Sequence, residues 1–167
     1  MTMEPGEALG IAAQIAVALA GFAGVVVVFR REAVHEWSDI DKLRLRLLLA
    51  NSMLPLGLSM LGLVLVTIQP EPPGIWRWCS GIFLLATMSF VMATGKTFRR
   101  LNLRNAQRQR FTRFIFYLVG AFGTAAMLLQ VYNIASLAAF WPFFAGIVYQ
   151  LVTALAQFAR MILLLPE

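Results

Sequence analysis

The strongest constraint in this chain is a set of five long stretches almost free of charge. They cover residues 9–29, 47–68, 78–95, 114–135 and 139–160, and only Arg160, the last residue of the fifth, is charged. About 20 apolar residues in a helix cross a hydrocarbon layer of ~30 Å, and each stretch is close to that length. Inside such a layer every backbone N–H and C=O must bond within its own segment or a closed barrel. The period-two alternation of barrel strands is absent, so the five stretches are expected to be helices. Composition agrees: 60% of the 167 residues are hydrophobic and 13% charged, against roughly 25% charged in a soluble domain. The expected fold is therefore an all-α integral membrane protein. Residues 1–167 form one domain, a bundle of five transmembrane helices.

The charges outside these stretches orient the bundle. Residues 30–46 hold five Lys/Arg and residues 96–113 hold seven, and Arg160 ends the last helix. The opposite side has Arg77 alone, with Glu4, Glu7 and Glu71. Lysine and arginine accumulate in cytoplasmic loops, which places the N-terminus outside and the C-terminus in the cytoplasm. Trp76, Trp78 and Trp141 then fall at the outer interface, and Trp37, Phe98 and Tyr117 at the inner one, where amphipathic rings favour headgroup depth. The first 29 residues carry no Lys or Arg. A cleaved signal peptide needs a positive start, so the first apolar stretch reads as a retained helix. Twelve of the fourteen basic residues are arginine, a bias that points to a GC-rich bacterial genome and hence to a bacterial cytoplasmic (inner) membrane.

The stretch TGKTFRRLNLRNAQRQRFTR, residues 94–113, contains Gly-Lys-Thr, the end of a phosphate-binding loop. Such a loop also needs a glycine five residues earlier, between a strand and a helix. That position is Phe90, within an apolar helix, so the nucleotide reading falls. A nucleic-acid reading lacks a fold and stacking aromatics. The stretch reads instead as a cytoplasmic loop in which Arg99, Arg100, Arg104, Arg108, Arg110 and Arg113 contact anionic lipid headgroups. Such clusters contribute ~1 kcal/mol per charge near a membrane surface. Arg100, Arg104 and Arg108 fall at helical spacing, whereas Asn102 and Asn105 are candidates for a turn.

Chemistry needs reactive side chains, and the middles of the five stretches contain no Asp, Glu, Lys, Arg or His. Ion-coupled pumps rely on intramembrane ionisable groups, metal enzymes on converging ligands, and activated nucleophiles on a base. The one histidine, His35, lies between Glu32 and Glu36 in a loop, and the one cysteine, Cys79, excludes an intrachain disulfide. The chain is thus expected to be no enzyme, with no catalytic residues, no metal and no cofactor, and no nucleic-acid partner.

Neutral residues carry what remains. Ala8, Ala12, Ala16, Ala20 and Gly24 recur every four residues, a small-residue ridge suited to close helix packing. In the second stretch Pro55 withholds an N–H from the Asn51 carbonyl, so Asn51, Ser52, Pro55 and Ser59 are candidates for a kink or gate. In the fifth, Gly146, Gln150, Thr153, Gln157 and Arg160 fall at steps of 4, 3, 4 and 3, on one face. Two glutamines facing lipid would be unfavourable, so this stripe faces protein or water. Interhelical hydrogen bonding is one use of it. The other is a pore lining, with Arg160 at the cytoplasmic mouth. Gln14, Gln130 and Asn133 share one depth and Asn51 and Gln157 another, so bonds within a single bundle are open to them. Two functions follow as expectations: an oligomeric ion channel or pore subunit, most simply a homo-oligomer, or a non-conducting accessory or scaffold protein assembling with other membrane proteins or anionic lipid.

Overall fold

The computed structural model describes residues 3–29, 34–68, 74–105 and 110–163. Among them there are five long helices and no strand: α1 (Pro5–Phe29), α2 (Asp39–Ile68), α3 (Ile75–Asn105), α4 (Arg110–Tyr132) and α5 (Phe140–Leu163). A 3-10 turn, Val34–Glu36, precedes α2, and a π turn, Asn133–Leu137, follows α4. All five helices are long and apolar enough to cross a membrane.

Two helices run well past the apolar stretches. α2 has 30 residues and begins at Asp39, so residues 39–46 are helix rather than loop. Its start is built by Ser38, whose Oγ accepts the Asp41 N–H at 3.2 Å and donates to Asp41 Oδ2 at 3.0 Å. That caps one of the helix's open N–H groups, and Asp39 and Asp41 add negative charge to the first turn, which the helix dipole favours. Asp41 Oδ1 also holds Arg44 Nη1 at 3.2 Å. α3 has 31 residues and reaches Asn105, so the first ten residues of the basic stretch 96–113 are helical. At about 1.5 Å per residue both helices measure about 45 Å, longer than a ~30 Å hydrocarbon layer. Gly95 does not stop α3, because a glycine flanked by good helix formers costs only about 1 kcal/mol. Asn102 is inside the helix and Asn105 closes it.

α5 is the axis of the bundle. It touches each of the other four helices, while α1 packs mainly on α2 and α5, and α4 on α5 and α3. The core follows from this: Phe143, Ile147, Leu151 and Ala154 of α5 are buried against Leu9, Ala12 and Ala16 of α1 and Leu48 and Leu58 of α2. α2 presents a seam at steps of 3 and 4 (Leu45, Leu48, Ser52, Pro55, Ser59, Gly62), all of it buried. That spacing is one face of a helix. Helix α2 continues through Pro55 without interruption.

Small residues set the closest approaches. A Cβ at Gly62 would lie 2.8 Å from Leu9 Cδ1 and 3.6 Å from Phe143, so α1, α2 and α5 meet there. A Cβ at Gly146 would lie 2.8 Å from two carbons of the Phe83 ring and 2.9 Å from Gln130 Nε2. Phe83 is fully buried and its ring has no flexible end to retract. Gly146→Ala should therefore destabilise the bundle by about 1–3 kcal/mol. Gly10→Ala, at a position with nothing within 4 Å, should leave stability unchanged or slightly raised. Unfolding of the purified protein in mixed detergent micelles measures both.

Candidate functional site: a polar seam through the bundle

The interior carries two polar clusters of opposite character. The first joins α3, α4 and the start of α5. Ser80, Gln130 and Asn133 are all fully buried. Ser80 Oγ donates to Gln130 Oε1 at 2.8 Å and accepts from Asn133 Nδ2 at 2.8 Å. Gln130 Nε2 donates to the Pro142 carbonyl at 2.7 Å. Asn133 closes the connection to α5 on both sides: Nδ2 donates to the Ala139 carbonyl at 3.0 Å and Oδ1 accepts the Ala139 N–H at 2.9 Å. The chain can turn here because Ala138 adopts a left-handed conformation, φ 48°, its N–H bonded to the Asn133 carbonyl at 2.9 Å. Pro142 sits in the first turn of α5, where a missing N–H leaves no intrahelical bond unmade. Next to this knot, Trp76 packs on Phe140 (ring centroids 4.8 Å apart) and Phe143 (6.1 Å).

The second cluster runs down α5. Gln150, 2% exposed, donates from Nε2 to Thr87 Oγ1 of α3 at 3.2 Å. Thr153 Oγ1 turns back to the Tyr149 carbonyl at 2.8 Å, and the Tyr149 hydroxyl donates to the Val119 carbonyl of α4 at 2.7 Å. Here hydrogen bonding is incomplete. Ser59 Oγ, Gln150 Oε1 and Gln157 Oε1 are buried without a partner in the protein. Arg160 is partly buried and lies within electrostatic reach of Arg44 of α2, whose guanidinium is itself paired with Asp41 at 3.2 Å.

These positions are where the stripe Gly146, Gln150, Thr153, Gln157 and Arg160 actually sits. Gly146 and Gln150 are buried within the chain's own bundle, against Phe83 and Thr87, and do not form a face left open to another subunit. Of the kink candidates, Ser52, Pro55 and Ser59 lie on the buried seam of α2 and Asn51 beside it, half-buried. Ser52 Oγ donates to the Leu48 carbonyl at 2.9 Å, not to the Asn51 carbonyl that Pro55 leaves without an N–H. Of the small-residue ridge, Ala8, Ala12 and Ala16 are buried, Ala20 is half-buried and Gly24 is exposed; the buried line continues through Leu19 and Ala23. A step of four overshoots the 3.6-residue turn by about 40° each time, so a strict four-residue ridge winds off the contact face.

Gln14 is exposed on α1, away from Gln130 and Asn133. Trp78, Trp141 and Tyr117 are exposed, whereas Trp37 is buried in the core at the start of α2. His35 is exposed, its Nε2 3.7 Å from Glu36, and among the described residues no three His, Cys, Asp or Glu converge as a metal set. Arg99, Arg100 and Arg104 lie on the helical extension of α3 and Arg110 and Arg113 on the first turn of α4; their side chains, and Arg108 entirely, lie outside the described residues. Ser80 and Thr87 were not distinguishable from other short polar residues in α3. Their signal is the matching depth of a glutamine on a neighbouring helix. Comparison with protein-family models, with curated proteins and with solved structures finds no match.

The knot holds three elements through one side chain. Asn133→Leu should therefore destabilise the protein by about 2 kcal/mol, since each interhelical bond contributes ~0.6 kcal/mol and orphaned buried groups at Ala139 and Ser80 add to the loss. The midpoint of unfolding in detergent checks this. Thr124→Ala, which removes only a bond to the chain's own Gly120 carbonyl, should shift it far less.

Proposed function

We propose that this is an integral protein of a bacterial cytoplasmic membrane, N-terminus outside and C-terminus inside, that acts as a non-conducting assembly subunit. The observation that carries the reading is Gln14. It stands exposed near the middle of α1, the most uniformly apolar helix, and no hydrogen bond reaches it from the described residues. An amide held in hydrocarbon without a partner is costly. A second helix bearing a donor and an acceptor relieves that cost, and a second copy of α1 bears both. Around Gln14, Gly10, Gly21 and Gly24 have open space where a Cβ would be, so a partner backbone can come close. The orientation rests on the distribution of lysine and arginine. Arginines at the end of α3 and the start of α4 are proposed to contact anionic headgroups, which adds a lipid partner on the cytoplasmic side. No catalytic role, cofactor or nucleic acid enters this reading.

The closed interior supports the absence of conduction. The polar stripe of α5 is turned toward the other helices while its opposite face, Val148, Val152 and Leu155, is apolar and exposed, and one end of the bundle is filled by the knot and the Trp76 cluster. A pore reading has one observation in its favour, the partnerless oxygens of Ser59, Gln150 and Gln157. It would place the path inside one chain and not between subunits.

Two measurements separate the readings. Self-association in lipid bilayers, followed by energy transfer between labelled copies, should weaken about 3- to 20-fold in Gln14→Leu, the equivalent of one interhelical hydrogen bond of ~0.6–1.7 kcal/mol. Unchanged association removes α1 as the contact. Ion flux from liposomes should not exceed that of empty vesicles; flux that does, and that falls in Gln150→Leu and Gln157→Leu, reinstates the channel.

A further inference from the structure

Three buried oxygens without partners, on two packed helices, define a site that the assembly reading does not use. The register of α2 and α5 is antiparallel and fixed at two points. Gly62 faces Phe143 at one end, and Arg44 neighbours Arg160 at the other. The residue numbers of the facing pairs sum to nearly the same value at both points. Pro55 is therefore level with Gln150, Leu48 with Gln157, and Ser59 lies about one helical turn from Gln150. This layer collects acceptors: Gln150 Oε1, Ser59 Oγ and the Asn51 carbonyl, from which Pro55 withholds the usual N–H. Thr87 Oγ1, already accepting from Gln150, borders it. Gln157 Oε1 continues the line toward Arg160.

The chemistry of these groups selects the ligand. Oxygens lacking donors attract a donor and repel an anion. A bare cation fits poorly at this layer, because residues 42–68 of α2 and all of α3 and α5 contain no Asp or Glu, and the two acids of α2, Asp39 and Asp41, lie in its first turn, where Asp41 already holds Arg44. A buried charge without a counter-charge is strongly disfavoured. What remains is a neutral donor small enough for a packed interior. We infer that the layer between Ser59, Pro55 and Gln150 is a buried water site, and that bound water extends from it past Gln157 to the Arg44–Arg160 end. A water needs two to four polar partners, and this layer offers that number. The water links Ser59 of α2 to Gln150 of α5.

The site does not rest on the assembly reading. In isotope-labelled wild-type protein in bilayers, magnetisation transferred from water should reach the Gln150 and Gln157 side-chain amides at least about threefold faster than that of Gln130, which is equally enclosed but fully bonded to Ser80 and Pro142. Transfer no faster at Gln150 than at Gln130 overturns the inference. Accessibility gives a second reading. With Cys79 replaced by alanine, Ser59→Cys and Gln157→Cys should react with a small water-soluble thiol reagent about tenfold faster than Ala12→Cys, on the buried apolar face of α1, as access to water predicts. Equal rates also overturn it. Gln14→Leu should leave both measurements unchanged, so failure of the water site and failure of the assembly reading are told apart.

Discussion

Asn133 is the point on which the arrangement of the C-terminal half depends. Its side chain and backbone carbonyl together bind the turn after α4, the start of α5 and Ser80 of α3. For helices this apolar placed in a membrane, hydrophobic burial would supply little such definition, because lipid tails are as apolar as leucine and helices gain little from exchanging one for the other. What fixes α5 along its length is therefore polar and steric: the Asn133–Gln130–Ser80 knot, the Tyr149 bond to α4, and the glycines that admit neighbouring atoms. With α5 set in this way, α1 and α2 close over it through small and branched aliphatic residues.

Much of this was legible in the sequence, and the reasons differ by element. Five helices followed from five charge-free runs, because backbone satisfaction leaves no other spanning structure in a water-free layer. The helix ends were less legible. The start of α2 is marked in the sequence by Ser38 as a cap and Asp41 in the first turn, as the structure has it, whereas residues 96–105 carry no such mark and are as polar as a loop. The π turn at Asn133–Leu137 was hidden because its residues are as apolar as the helix before it. The turn depends on one left-handed alanine and one asparagine, neither of which is a strong signal alone.

The candidate site was half legible. The spacing of Gly146, Gln150, Thr153 and Gln157 identified one face of α5, and that face is polar and inward. Spacing does not say which molecule the face meets. Interior position is decided by the order in which helices pack, and the polar face of α5 turns inward because α5 packs against all four of the other helices. The i+4 ridge of α1 fails for a related reason: a sequence repeat of four is not the pitch of a straight helix, so the contact face passes from Ala16 to Leu19 and Ala23 and leaves Gly24 outside.

The two ends of the interior differ in polar balance, and this difference carries mechanical meaning. At the Asn133 end every buried side-chain oxygen and nitrogen of the knot has a partner, and opening it would break several bonds at once. At the Gln150 end three buried oxygens, of Ser59, Gln150 and Gln157, have no partner in the protein, and Pro55 removes one rung of the α2 ladder. Local opening in proteins starts where few cooperative bonds must break together. Motion in this bundle should then be concentrated along α2 and α5 from the Pro55 level toward Arg160, with the Asn133 knot as the fixed point. A partner bound on the outer face of α1 bears on α2 and α5 directly, since α1 packs on both. Assembly at Gln14 and hydration at Gln150 would in that case be separate properties of sites joined through the same three helices.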